Sequence, residues 1–274
     1  MAEAAASGVE RIDAAFAAAR AEGRAALMPY LMGGFPDLAT SRAVAEAYVD
    51  GGADLIELGV PYSDPLADGP VIHAAATKAL AVGVTLDDVL GICADLGGRL
   101  PILPMVYANM ALARGGEAFA QALLDAGACG AIVPDLPPGE DQSLPAAMAD
   151  RGLALIPFVA PTTAPARRRR LVADAPGFVY VVSLSGVTGE RQDLAGDLGA
   201  LVAAVRAESS AAAAVGFGIG TPERAAEVGL IADGVIIGSR LVREVADADD
   251  AERAATGVRE FLETTRALLA AHRC

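Results

Sequence analysis

The stretch Ala53-Asp54-Leu55-Ile56-Glu57-Leu58-Gly59-Val60 runs straight into Pro61-Tyr62-Ser63-Asp64-Pro65-Leu66-Ala67-Asp68-Gly69-Pro70. Its first half is an apolar run of strand length between turn residues, the pattern of a parallel strand buried on both faces. Glu57 therefore sits where a charge is costly. Burial raises a carboxyl pKa and favours a group that both gives and takes a proton near neutral pH, as an acid/base catalyst must. Asp64 and Asp68 follow on a loop dense in Gly, Pro and Asp; one of them, more exposed and ionised, would stabilise developing positive charge beside the buried group. The alternative is structural: Glu57 pairs with a core arginine and the aspartates cap turns.

Working outward, strands and helices alternate along the whole chain. Helical spacing of Val9, Ile12, Phe16 and Ala19 predicts a helix over 8–22, with Ser7 placed to cap it, ahead of the first strand. Strands are expected at 26–32, 53–60, 102–107, 131–134, 153–159, 178–184, 213–218 and 234–237. Helices are expected at 37–49, 71–81, 86–96, 117–126, 142–150, 166–173, 194–207, 222–228 and 257–271, with a short one beginning at Ser239. No Pro/Ser-rich linker or change of composition interrupts them. The stretches DGGADLIELG, DAGACGAIVP and GLIADGVIIG each lead from a helix end through small residues into an apolar strand, as stacked βα units do. Eight such alternations predict an α/β fold, a (β/α)8 TIM barrel with an extra N-terminal helix, over residues 1–274 as one domain. An open doubly wound sheet is the alternative, and no GxGxxG follows the first strand to support it. In a barrel Glu57, Tyr107, Asp135, Tyr180 and Gly218 would ring one mouth, at the C-terminal strand ends.

Composition narrows the chemistry. At 274 residues and 54% hydrophobic, the chain has ample core to bury. A formal net charge of −14 argues against nucleic acid or an anionic membrane as a general partner. The run Arg167-Arg168-Arg169-Arg170 is the exception, and reads as a solvated helix face. Cys93, Cys129 and Cys274 are odd in number and widely spaced, as in reduced thiols of a cytoplasmic enzyme. No targeting pattern opens the chain, and no apolar run approaches the ~18 residues of a membrane span. The only lysine is Lys78 and the only histidines are His73 and His272, so a barrel-strand Schiff-base lysine, a metal-dependent aldolase site and a Ser-His-Asp triad all lack their parts. Neither metal nor cofactor is expected; carboxylates, tyrosines and backbone amides must carry the reaction.

Glycines cluster at three late strand ends: Ser185-Gly186-Val187-Thr188-Gly189, Gly216-Phe217-Gly218-Ile219-Gly220-Thr221 and Gly238-Ser239. They expose backbone N–H groups, and a helix starting at Ser239 would aim its positive end at the same point. A phosphate-bearing small molecule is the expected ligand, since such barrels commonly hold a phosphate after their last strands.

The motif ELGVPYSDPLADGP resembles the signature of the tryptophan synthase alpha subunit family, and the likeness extends over nearly the whole chain. It implies a lyase of tryptophan biosynthesis that cleaves indole-3-glycerol phosphate to indole and glyceraldehyde 3-phosphate, with Glu57 and Asp68 catalytic and Tyr180 supporting Glu57. It further implies phosphate contacts at Gly189, Phe217, Gly218, Gly238 and Ser239, a mobile loop holding Thr188, an indole pocket walled by Tyr30, Tyr107, Tyr180, Phe217 and Ile219, and Asp135 among the substrate-binding residues. The implied partner is a pyridoxal-phosphate beta subunit in an alpha2beta2 heterotetramer. Two residues depart from the better-known members: Tyr30 stands where phenylalanine is expected and His73 where glutamine is common. A free-standing lyase and a mainly regulatory barrel subunit are the alternative readings.

Overall fold

The computed structural model describes residues 6–183, 193–216 and 218–271, without the side chains of 193–197. In chain order these form α1 (Gly8–Ala21), β1 (Ala26–Met32), α2 (Leu38–Asp50), β2 (Ile56–Gly59), α3 (Pro70–Ala81), α4 (Leu86–Leu96), β3 (Ile102–Met105), α5 (Ala108–Arg114), α6 (Gly116–Asp125), β4 (Gly130–Ile132) and α7 (Ser143–Asp150). The second half supplies β5 (Ala154–Ile156), β6 (Phe158–Val159), α8 (Pro165–Val172), β7 (Phe178–Val182), α9 (Asp193–Glu208), β8 (Ala212–Gly216), α10 (Pro222–Gly229), β9 (Gly234–Ile237), α11 (Ser239–Ala246) and α12 (Ala251–Ala271).

Every strand pairing is parallel, in the order β5-β4-β3-β2-β1-β9-β8-β7-β6. β5 and β6 are the two edges of that sheet and are joined directly through Pro157. The expected strand over 153–159 is thus two short pieces: proline has no N–H to give the ladder, so the chain breaks step there. One piece pairs with β4 and the other with β7, while Tyr180 N–H donates to the Pro157 carbonyl at 2.9 Å. The sheet closes on itself as a barrel of eight strand positions.

Alternate residues face inward. Ala26, Met28, Leu55, Leu103, Ile132, Ala154, Ile156, Phe178, Ala214 and Ile236 form one buried cluster with Ile12, Phe16 and Ala19 of α1. α1 therefore plugs the barrel from below. Its Val9 N–H donates to Gly152 O at 3.1 Å and Phe16 packs on Phe178 at 5.6 Å between ring centroids, both at strand starts. Ser7 and Glu10 cap this helix reciprocally, Ser7 N–H donating to Glu10 Oε2 (2.7 Å) and Glu10 N–H to Ser7 Oγ (3.2 Å). A second cluster, richer in Val and Leu, fills the layer between strands and outer helices.

The same lower rim holds the core arginine. Arg24, 2% exposed, donates from Nη2 to Asp54 Oδ1 at 2.7 Å and from Nε to Glu22 Oε2 at 2.8 Å, and Leu27 N–H donates to Asp54 Oδ2 at 2.7 Å. Arg266 of α12 joins by donating to Glu22 and to the Gly52 carbonyl, tying the last helix to the barrel floor. The arginine run 167–170 lies on α8, where Arg168 makes a two-pronged pair with Glu208 at 2.9 Å. No helix among the described residues is long and apolar enough to cross a membrane.

Candidate active site

β2 enters the upper half of the barrel with Glu57 facing inward, in register with Tyr30 of β1 and Leu103 of β3. Glu57 is 2% exposed and pairs with no arginine; the core arginine is engaged by Asp54 instead. Burial, and then the Asp68 charge, push its carboxyl up to about 8, against a hydrogen bond from Tyr180 that pulls it down. Among the described residues, Glu57 Oε2 is a buried oxygen with no hydrogen-bond partner. An orphaned buried acceptor is rare in a folded chain and costs free energy, which singles out Glu57 as a candidate functional group.

Three tyrosines surround the two carboxylates. Tyr180, on β7, reaches Glu57 with its hydroxyl, stacks on Phe158 at 4.8 Å, and lies so close to β8 that a Cβ at Gly216 would be 2.4 Å from its oxygen. Tyr30 repeats the arrangement: a Cβ at Gly59 would meet its hydroxyl at 2.0 Å. Each glycine is thus the seat of a neighbouring phenol. Tyr107, just after β3, accepts the Ala67 N–H at 3.0 Å, hydrogen-bonds Asp68 and stacks on Tyr62 at 4.9 Å. Tyr107 thus ties the acidic loop to the barrel at three points, Tyr62, Ala67 and Asp68.

Asp68 is half-buried, and burial raises its carboxyl above the ordinary range, opposed by the Tyr107 hydrogen bond and by His73 on α3. It is less exposed than the sequence reading of an ionised loop carboxylate expects, and the Tyr107 hydrogen bond and His73 only partly offset the burial. Asp64 is exposed and accepts from its neighbour Ser63 at 2.8 Å. Leu66, between them, is 89% exposed.

Asp135 lies after β4, where its Oδ1 accepts the Ala108 N–H at 2.7 Å and anchors the start of α5. The sequence pattern predicts one helix here, at 117–126, where the chain forms two, α5 and α6. On the opposite side of the mouth, Gly218 has φ +78°, a conformation that side chains resist, and Ile219 is buried. Gly238 precedes Ser239, and α11 begins there, so its unpaired N–H groups start at the end of β9. Thr188, Gly189 and Phe217, the remaining expected contacts, lie outside the described residues. Glu57, Asp68, Tyr30, Tyr107, Tyr180, Gly218, Ile219, Gly238 and Ser239 all come to one mouth. Gly59, Tyr62 and Gly216 lie within the stretches singled out in the sequence, but the seating of Tyr30 on Gly59, of Tyr180 on Gly216 and of Tyr62 on Tyr107 is not among the expectations; alternation by two from Glu57 reaches Gly59, but nothing in sequence says which ring covers it.

Residues 16–271 match the family model described as tryptophan synthase alpha chain. The chain is 46% identical over 260 residues to the tryptophan synthase alpha chain of Chloroflexus aurantiacus, covering 93% of this chain and 98% of that one. It is 47% identical over 249 residues to that of Synechococcus elongatus, with 90% and 93% covered. Among solved structures, tryptophan synthase from M. tuberculosis in its aminoacrylate-bound form superposes with a TM-score of 0.86 at 36% identity, covering 96% of this chain and all (100%) of that one. The alpha subunit from Legionella pneumophila does so with a TM-score of 0.86 at 35% identity, over 94% and 98%. With a closed barrel, an acid buried at its mouth and these likenesses along nearly its full length, the chain belongs to the tryptophan synthase alpha chain family, the carbon-carbon lyases of tryptophan biosynthesis.

Proposed function

We propose that this chain, as one barrel domain, cleaves indole-3-glycerol phosphate with Glu57 as proton carrier and Asp68 as partner of the indole N–H. The observation that carries this reading is the buried, raised Glu57 with its orphaned oxygen, set opposite a second carboxylate that is held by its own donors. With a pKa near 8, Glu57 is protonated at neutral pH and can deliver that proton to indole C3. The carboxylate left behind then takes the proton of the adjacent chain hydroxyl. The bond between C3 and the chain breaks, its electron pair returns to the ring as indole, and the hydroxyl-bearing carbon becomes the aldehyde of glyceraldehyde 3-phosphate. Asp68 stabilises the positive ring nitrogen in between, and Tyr180 steadies Glu57 through its hydrogen bond. The phosphate is assigned to backbone N–H groups at Gly218, Gly238 and Ser239, with Gly189, Phe217 and Thr188 completing the cradle; Ile219, Tyr107 and Tyr30 wall the ring, and Asp135 supports that wall from α5.

An alpha chain implies a beta-subunit partner. We assign the docking face to the mouth, around Pro61, Asp64 and the exposed Leu66, in a cytoplasmic alpha2beta2 assembly. Closure of the 61–69 loop over substrate would then be coupled to docking, so the free chain populates the competent form only in part. Single-turnover release of indole, with and without beta subunit, tests both statements. Slow release by the free chain, rising about tenfold or more with the partner, is expected, a coupling of ~1.4 kcal/mol. No indole under either condition refutes the lyase; full speed without partner favours a free-standing enzyme.

A further inference from the structure

Tyr30 is the aromatic wall residue whose hydroxyl is unaccounted for. It is 3% exposed, yet its Oη has no hydrogen-bond partner among the described residues, where Tyr180 and Tyr107 each hold a carboxylate. The side chain spans the top of β1. Its base lies beside the phosphate-side turn, where a Cβ at Gly238 would be 3.7 Å from Tyr30 Cβ, and its tip rests on Gly59 of β2. Gly59 and Glu57 are successive inward positions on that strand, so the hydroxyl occupies the space a side chain at 59 would fill, directly on the mouth side of Glu57. The nearby orphaned atom is Glu57 Oε2. A fully buried carboxylate oxygen without a partner and a phenol hydroxyl with no hydrogen bond among the described residues therefore lie at successive inward positions on the mouth side of β2.

We infer that the Tyr30 hydroxyl is a substrate contact that, with Glu57 Oε2, brackets the chain hydroxyl undergoing cleavage. The inference rests on Glu57 being the proton carrier. In this arrangement the substrate hydroxyl donates to Glu57 and accepts from Tyr30. When its O–H bond breaks and the proton passes to Glu57, the oxygen turns into a carbonyl and gains electron density. The phenol O–H is then placed to stabilise it, as a preorganised donor does. Tyr30 itself keeps its proton, because burial and the charges of Asp68 and Glu57 hold its ionisation well above the ordinary phenol range. A phenylalanine here would fill the wall but give that oxygen nothing. The residue is thus a determinant for the hydroxylated chain and not for the indole ring alone.

The test is Tyr30→Phe, which keeps ring volume and leaves the Gly59 seat intact, assayed in the complex with beta subunit. Cleavage of indole-3-glycerol phosphate should fall about tenfold or more in kcat/KM, mostly in kcat, as for a donor used in the transition state. Inhibition by indole-3-propanol phosphate, which has ring and phosphate but neither chain hydroxyl, should change by less than about threefold. An unchanged kcat/KM overturns the inference, and so does an equal weakening of the hydroxyl-free analogue, which would make Tyr30 a packing residue only. Gly59→Ala, whose new methyl displaces the phenol tip, should give the same selective loss. The Glu57 assignment fails by a separate sign: Glu57→Gln retaining more than about a tenth of the rate.

Discussion

Asp54, in the bend that leads into β2, and Glu57, on β2, stand three residues apart and meet opposite fates. Asp54, at the lower rim, accepts from the Arg24 guanidinium and from the Leu27 N–H, and Arg24 is in turn shared with Glu22. Glu57, at the upper half, has the Tyr180 hydroxyl and one oxygen with no partner. Both are carboxylates in the apolar run 53–60, one just before β2 and one on it, and residue type alone does not tell them apart. The difference is that one end of the barrel is finished with its own side chains and α1, while the other leaves a buried carboxylate oxygen without a partner among the described residues. The saturated carboxylate serves the fold; the unsaturated one is the group to which the proposed reaction is assigned.

Exchanging each acid for its amide should separate these roles. Glu57→Gln removes a proton carrier at nearly constant volume, and cleavage should fall roughly 100-fold or more while the barrel stays folded. Indole release and a thermal melt on the same sample check this; retention of more than a tenth of the rate would place the chemistry elsewhere. Asp54→Asn should do the reverse. It leaves the buried Arg24 without its two-pronged counter-charge, a loss of about 3–5 kcal/mol by denaturant unfolding, with kcat per folded molecule little altered. Loss of activity without loss of stability at Asp54 would erase the contrast.

A finer contrast lies within the acidic loop. Asp68 is half-buried and hydrogen-bonded by Tyr107, whereas Asp64 is exposed and, among the described residues, bonded to its neighbour Ser63. Asp68→Asn should slow single-turnover cleavage at least about tenfold, and Asp64→Asn by a few-fold at most in the free chain. Equal losses would mean that the loop acts as a unit and that neither carboxylate meets the ring nitrogen alone.

How much of this could be read beforehand depends on distance along the chain. The eight alternations, the cap at Ser7 and the helix at Ser239 rest on neighbours within a turn, and they hold to within a few residues. Glu57 and Asp68 were legible because their odd placement is local: a charge in an apolar run, then three prolines. α5 was not legible, since the N–H at its start is satisfied by Asp135, 27 residues later, and Tyr107 before it reads as the end of a strand. The break at Pro157 was signalled by the proline itself, and the apolar run around it outweighed that signal. The seating of Tyr30 on Gly59 and of Tyr180 on Gly216 depends on register between strands, and the orphaned Oε2 on everything around it. Neither leaves a trace in one sequence.

The smallest effect sharpens the comparison most, because it reads Glu57 without substrate. Its carboxyl is raised from 4.5 to about 8 in the folded chain and returns to an ordinary value on unfolding. The folded state therefore binds the proton more tightly than the unfolded state across that window. Stability from this group is fully present below about pH 4.5 and is lost as pH rises through about 8, levelling off beyond it. Acidic pairs elsewhere act in the opposite sense at low pH, Glu22 and Asp233 being held below their usual range by arginines. The useful interval is thus from pH 6 to 9, above their titration; Asp68, also raised by burial, acts in the same sense as Glu57, so the difference between parent and variant isolates the Glu57 part of the slope. Glu57→Gln cannot ionise, so its melting temperature should fall less steeply over that interval, the parent losing a few degrees more. The variant should be the more stable of the two at pH 9. Parallel curves for the two proteins would show that the Glu57 carboxyl reaches water in the free chain, and that its orphaned oxygen is hydrated before substrate arrives.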